Sequence, residues 1–298
     1  MIKVIASDLD GTLLGSDHKI VPETVQAIKD ACGQGIRFML ATGRGYSGAK
    51  SVVQDTGIVC DYILGSGAEV RDSSEQILIR HGLSIDQCRE ICKALENLPV
   101  SIVFLANEGD YRIGTLEEIE ESIIQEMILF HENLSREEVV QTSMYRRIRE
   151  SVKMAPDFQA LEEENVSIFK LFIFSADVEM IRKAEQQLHN MEGIAVASSF
   201  VTNVEITDEK AQKGPVLKEY IESLGYSMDE VMVLGDSMND LSMLEMDFGA
   251  TIAMENAVLE LKKVAKYITK SNDDLGVAYA IREVMKRNDS EKEKLDNV

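Results

Sequence analysis

The chain opens on Met1 to Ala6, a run of apolar and β-branched residues broken only by Lys3. That pattern predicts a buried central strand of a parallel sheet rather than an alternating edge strand. A polar loop over Ser16 to Ile20 leads into a helix predicted from Pro22 to Gln34, with proline in its first turn and Gly33 and Gly35 near its end. Ile36 to Ala41 reads as a second buried strand, Tyr46 to about Thr56 as a helix, and Tyr62-Ile63-Leu64 as a short third strand. This βαβαβ run argues for an α/β fold with a doubly wound, right-handed parallel sheet. From about Gly82 strands and helices no longer alternate one for one. Helices are predicted at Ser84 to Leu98, Leu116 to Phe130 and Asp177 to Met191. Strands are predicted at Ser101 to Ala106 and Tyr111 to Gly114, paired across Glu108-Gly109-Asp110, at Phe169 to Ser175, and as a closing hairpin of Ile194 to Ser199 with Phe200 to Thr207. This is an α+β insertion, placed at 82–207, inside a core made of 1–81 and 208–298.

Near Thr207 the sheet-type pattern resumes. Lys213-Gly214-Pro215 precedes an amphipathic helix running to Leu224, and Val231 to Leu234 is a short apolar strand. Thr251 to Met254 and Tyr267 to Thr269 read as the last strands, with a helix at Glu260 to Ala265 between them, and the charged run after Arg287 reads as a frayed, solvated tail.

Composition narrows the function classes. With 298 residues the chain is long enough for one large or two moderate domains. The 31 Lys and Arg stand against 52 Asp and Glu, a formal net charge of -21 that repels nucleic acid and anionic membrane surfaces. A phosphate site in such a protein must gather its own Lys, Arg, metal and amide groups. Cys32, Cys60, Cys88 and Cys92 show no zinc-ligand spacing and read as reduced structural thiols, and the four histidines stand apart, so histidine-based catalysis has little support. The start of the chain lacks a basic-then-apolar leader and no stretch approaches the roughly 20 apolar residues that span a bilayer. A cytoplasmic protein is expected.

The candidate chemistry lies at strand ends. Asp8-Leu9-Asp10-Gly11-Thr12 follows the first strand, where open α/β sheets bind ligands. If the extended geometry persists, Asp8 and Asp10 point to one side and repel unless a hard divalent cation sits between them. The same residues in isolation are ordinary turn formers. Thr42-Gly43-Arg44-Gly45 ends the second strand and offers a hydroxyl, amides and a cation to a phosphate. Gly65-Ser66-Gly67-Ala68 follows the third strand; Lys213 stands at a helix start, and Gly235-Asp236-Ser237-Met238-Asn239-Asp240 crowns another buried strand. Tyr145-Arg146-Arg147-Ile148-Arg149 is the densest basic cluster and reads first as a solvated helix face.

In their order and context these four groups, 8–12, 42–44, 213–214 and 235–240, resemble the motifs of the haloacid dehalogenase superfamily, in particular its Cof-type phosphatases with a type IIB α/β cap inserted between the second and third motifs. The resemblance covers essentially the whole chain. It implies a Mg²⁺-dependent phosphatase in which Asp8 attacks phosphorus and Asp10 is the general acid and base. The same resemblance assigns the metal to Asp8, the backbone carbonyl of Asp10, Asp236 and Asp240, with Ser237 a lesser candidate. Thr42, Lys213, Asn239 and the amides of Leu9 and Gly43 would hold the transferring oxygens, with Arg44 and Ser66 as weaker substrate contacts. Ser66 departs from the Asn usual in this branch, which removes an amide's second hydrogen-bonding function.

The implied substrate is a phosphomonoester of a small metabolite, a sugar phosphate or a nucleotide-like or cofactor-like compound, with the cap closing over it. No nucleic-acid or membrane partner is expected, and oligomeric state is unreadable. A phosphosugar mutase on the same fold would differ in not accumulating inorganic phosphate. A phospho-accepting regulatory domain would need neither an acid at Asp10 nor a large cap. Lys213→Ala is expected to cost activity rather than stability.

Overall fold

The structure is a computed structural model that describes residues 1–106, 109–130, 134–198 and 200–296. Its strands, in chain order, are β1 (Val4–Ser7), β2 (Arg37–Ala41), β3 (Asp61–Leu64), β4 (Glu69–Arg71), β5 (Ile77–Arg80), β6 (Ser101–Ala106) and β7 (Gly109–Ile113). They continue as β8 (Lys153–Ala155), β9 (Ile168–Phe174), β10 (Ile194–Ala197), β11 (Asn203–Asp208), β12 (Val231–Gly235), β13 (Ala250–Ala253) and β14 (Tyr267–Ile268). The chain divides into two compact units, Met1–Arg80 with Lys210–Val298, and His81–Glu209.

The first unit is an eight-stranded sheet in the order β14-β13-β12-β1-β2-β3-β4-β5. Its strands from β14 to β3 are parallel, and β4 and β5 add an antiparallel edge. The hairpin of β4 and β5 is absent from the sequence pattern because β4 is only Glu69–Arg71 and β5 leaves Ile77 and Leu78 exposed. β1 lies in the middle of the sheet, and every one of its residues is buried, as an unbroken apolar strand requires. Helices Pro22–Gly33 and Lys213–Ser223 bury their apolar stripes, through Ala27 and Ile28 on one and Leu217 and Ile221 on the other, in the core that holds β1, β2 and β12. The charged run after Arg287 is not a frayed tail. It continues helix Gly276–Asp296, and the buried Asn288 side chain donates to the Ile2 carbonyl at 2.7 Å and accepts from the Ile2 amide at 2.9 Å, tying the helix to the start of the chain.

The second unit is a six-stranded sheet in the order β10-β11-β9-β6-β7-β8, antiparallel except for the β7 and β8 pair. Leu171, Ile173, Val204 and Ile206 alternate along β9 and β11 onto one face, where Ile91, Leu95, Ile181 and Leu188 of helices Ile85–Leu95 and Val178–Leu188 close the core. The intervening positions Lys170 and Glu205 pair with each other at 2.8 Å. Glu108 of the expected β-turn and Ser199 at the end of an expected strand lie outside the described residues.

Candidate active site

Strand register gathers the site. Ser7 of β1 is level with Leu234 of β12 on one side and Leu40 of β2 on the other, so Asp8, Asp236 and Thr42 follow the carboxyl ends of adjacent strands. Asp8 is held against β12 by its amide, which donates to the Leu234 carbonyl at 3.0 Å.

Beyond Asp8 the chain does not stay extended. It winds into one wide turn over Leu9–Leu13, with Gly11 at φ +80°. A Cβ at Gly11 would stand 2.4 Å from Asp236 Oδ2, so only glycine lets this turn lie against that carboxylate. The turn carries Asp10 outward, its side chain 48% exposed against 5% for Asp8. There Arg44 grips it as a fork, Nε to Oδ2 at 2.8 Å and Nη2 to Oδ1 at 2.5 Å. The expected side-by-side pair of Asp8 and Asp10 carboxylates is therefore replaced. The acidic neighbours of Asp8 are Asp236 and Asp240, and the three present carboxylate oxygens within 4.8 Å of one another.

Lys213 is the cation of this cluster. Its side chain has no exposed surface, and Nζ donates to Asp8 Oδ1 and Asp240 Oδ1, each at 2.6 Å. It is the first residue of its helix, and the next residue explains its depth. A Cβ on Gly214 would meet the Ser242 carbonyl oxygen at 1.9 Å, so the helix start can press against the turn at 241–244 only because that side chain is missing. The second oxygen of Asp240 accepts the amides of Asp236 at 3.0 Å and Ser237 at 3.1 Å, which fixes the loop that carries Asp236.

The charge balance is incomplete. Burial, reinforced by the negative charge of Asp240 and only partly offset by Lys213, pushes the Asp8 carboxyl well above its ordinary range. Burial and then Asp240 push Asp236 up to about 6. For Lys213 burial works against the charged form, but Asp240 and Asp8 outweigh it and the ammonium pKa is raised. Three carboxylates thus share one fixed cation, and the oxygen donors suit a hard divalent ion that would supply the missing charge.

The remaining expected residues fall into two places. Thr42 is buried and its Oγ1 accepts the Arg44 amide at 3.1 Å; Gly43 lies between them, and Leu9 is buried at the head of the first turn. The Arg44 carbonyl accepts the Gly65 amide and the Thr42 carbonyl accepts the Ser66 amide, each at 3.0 Å, so these two loops are bound together. Ser66 stands at φ +61°, buried, and among the described residues its Oγ meets no partner. Asn239 is half-buried and accepts the Ser237 hydroxyl at 2.9 Å. Two contributors went unread in the sequence. Thr12 Oγ1 donates to Asp236 Oδ1 at 2.8 Å, and the Asn256 amide donates to the Gly11 carbonyl at 2.8 Å. Thr12 was visible as a hydroxyl next to the turn glycine; Asn256 had no local signal, being brought in from beyond β13.

Carboxylates at the carboxyl ends of parallel strands, with a buried lysine from a helix start bridging two of them, make a site suited to phosphoryl transfer. The chain belongs to the haloacid dehalogenase-like hydrolases, whose family profile matches residues 5–281. It is 30% identical over 287 residues to the 5-amino-6-(5-phospho-D-ribitylamino)uracil phosphatase YwtE of Bacillus subtilis, covering 95% of this chain and 98% of that one. It is 27% identical to the phosphatase YwpJ of the same organism, covering 95% and 100%. Its structure is similar to that of a haloacid dehalogenase-like hydrolase from B. subtilis, with a TM-score of 0.79, 26% identity and coverage of 94% and 99%. The protein is an enzyme of the phosphatase type found in this family.

Proposed function

We propose that the protein hydrolyses a phosphomonoester with Mg²⁺ through a phosphoryl group carried on Asp8. The observation that supports this most directly is the Asp8 carboxylate at the end of β1, held at 2.6 Å by Lys213 and grouped with Asp236. In this reading an Asp8 oxygen attacks phosphorus while the ester P–O bond breaks, and Asp10 delivers a proton to the leaving oxygen. Water then gives a proton to Asp10 and attacks phosphorus, and the Asp8–phosphorus bond breaks to release inorganic phosphate. The fork to Arg44 occupies both Asp10 oxygens as acceptors, so it opens before Asp10 carries and delivers the proton, which also frees Arg44 for the substrate. Thr42, Lys213, Asn239 and the amides of Leu9 and Gly43 bind the transferring oxygens, and Ser66 and Arg44 reach the substrate beside them.

Asp8, Asp236 and the Asp10 carbonyl hold the metal, with Asp240 behind them locking Lys213 and the loop. When bound, the metal neutralises anionic charge so that a carboxylate and a phosphate can approach. Residues 1–81 and 208–298 are the catalytic core and 82–207 the specificity module. The name of the YwtE relative makes 5-amino-6-(5-phospho-D-ribitylamino)uracil the first compound to try, beside sugar phosphates.

The test is phosphate release across a set of phosphorylated metabolites with Mg²⁺, with wild type beside Asp8→Asn. Turnover by wild type and a loss on the order of 10⁴-fold or more in Asp8→Asn is the expected result. Near-normal activity in Asp8→Asn would refute the nucleophile. Phosphoryl transfer within the substrate without accumulation of free phosphate would refute hydrolysis.

A further inference from the structure

A groove of about 160 Å³ opens at one edge of the first unit's sheet, lined by β13, β14 and helix Gly276–Asp296. None of the carboxylate cluster lines it. Tyr267, Ile268 and Tyr279 do, and they are 45%, 57% and 45% exposed, so the groove is reached from solvent over apolar and aromatic surface. β14 is the last strand of its sheet, and one side of its backbone has no strand beside it. Thr269 donates its amide to the Ala253 carbonyl at 3.0 Å, and backbone groups alternate in direction from residue to residue along a strand. Ile268 therefore turns both its N–H and its C=O to the open side.

The charge at this edge runs against that of the chain. Lys262 to Lys270 holds four lysines and no acid in a protein of net charge -21. Arg287, on the groove lining, stands with its Cζ 5.3 Å from the centre of the Tyr267 ring. Lys270, at the end of the strand, stands with its Nζ 5.1 Å from the centre of the Tyr279 ring. The acid on the lining, Glu283, pairs with Lys286 at 2.8 Å; Lys286 first, and then Arg287, hold its carboxyl below the usual range.

Size and charge choose the occupant. A space of about 160 Å³ holds one apolar side chain, whereas sites for whole small molecules begin near about 300 Å³. A second copy of this chain is disfavoured. Antiparallel pairing about Ile268 would set Lys266 opposite Lys270 of the second copy, and like charges directly opposite destabilise a strand pair. An extended segment with an apolar side chain between two carboxylates answers the open backbone, the groove and the cations together.

We infer that the β14 edge is a docking site for an acidic, extended segment of another protein. The segment adds a strand beside Ile268, with one apolar side chain against Tyr267 and Tyr279 and its carboxylates at Lys270 and Arg287. The site is independent of the phosphatase reaction proposed above.

The probe is an end-blocked peptide, Glu-Thr-Leu-Thr-Glu, whose leucine and two glutamates share one face when extended. It is titrated into the ¹⁵N-labelled full chain, and the backbone amides of Ile268 and Tyr279 are followed. Saturable shifts are expected, with Lys-Thr-Leu-Thr-Lys and Glu-Thr-Gly-Thr-Glu binding at least about tenfold more weakly. Arg287→Glu, at an exposed position, is expected to weaken the acidic peptide about tenfold while phosphate release stays unchanged. Ile268→Pro removes the outward N–H and is expected to abolish the response at Tyr279. Unmoved amides at millimolar peptide would overturn the site. Equal binding of either comparison peptide, or an unchanged response in Arg287→Glu, would overturn the partner's chemistry. Concentration-dependent dimers that are lost in Ile268→Pro would overturn it in favour of a second copy. Should Ile268→Pro fail to fold, Arg287→Glu and the three peptides still decide.

Discussion

Lys213 shows how much a single residue's role depends on burial. As a helix-start lysine it reads as an anion contact, whose loss would cost mainly activity rather than stability. In the structure it has no solvent contact and bridges Asp8 and Asp240. Removing one partner of a buried ionic group leaves uncompensated charge and typically costs about 3–5 kcal/mol. Lys213→Ala is therefore expected to lose both turnover and stability of that order in Mg²⁺-free buffer, which urea melts beside kinetics would show. A melt within about 0.5 kcal/mol of wild type would contradict the buried bridge. Gly11 is constrained just as tightly. Gly11→Ala places a methyl group on the Asp236 carboxylate at a positive φ, and should weaken Mg²⁺ binding far more than it weakens the fold. A Mg²⁺ titration followed by calorimetry checks this, and unchanged affinity would count against Asp236 as a ligand.

At the scale of elements, the helix at Lys213–Ser223 and the turn at 241–244 form one device that delivers the lysine. Gly214→Ala is expected to destabilise the protein by about 1–3 kcal/mol through overpacking against the Ser242 carbonyl, and to lower activity by moving Lys213. Addition of Mg²⁺ should leave that defect in place, because the clash is with backbone; a variant that melts like wild type would show that the contact is not tight. This contact also marks the limit of what the chain discloses. The buried strands β1, β2, β3 and β12 were legible because an unbroken apolar run has few other solutions, and their acidic or hydroxyl ends followed at once. The turn over Leu9–Leu13 was not legible, since Asp-x-Asp-Gly is compatible with extended or coiled backbone. Its choice is decided by Asp236, more than 200 residues away. The Arg44 fork on Asp10 was hidden for the same reason: each residue reads as a phosphate-site group, and only the fold aims one at the other. Helix Gly276–Asp296 was missed from its start, and past Arg287 its charges outweigh its apolar positions, while the contact that anchors it, Asn288 to Ile2, joins distant parts of the chain.

At the scale of the whole molecule, a formal charge of -21 surrounds a site that must attract both a cation and an anion. The carboxylate cluster answers the first need by being short of positive charge, and that shortage makes a prediction about stability. Mg²⁺ that binds only the folded chain stabilises it by about 2.7 kcal/mol at a hundredfold excess over Kd. Chelation should remove that gain reversibly. The gain also depends on pH in a fixed direction. Asp236 is pushed up to about 6 from an ordinary carboxylate value of 3.8, so in Mg²⁺-free protein its ionisation is a penalty that is present above pH 6 and relieved as pH falls towards 4. A displacement of that size corresponds to on the order of 3 kcal/mol. With Asp236 as a ligand, as proposed above, the Mg²⁺-bound protein needs the same group ionised and gains nothing from the proton. The difference between melts with and without Mg²⁺ should therefore be largest near neutrality and shrink through pH 6. Carboxylates away from the cluster shift both melts equally and cancel in the difference. A difference that stays constant from pH 7.5 to 5 would mean that the ion is held somewhere other than this cluster.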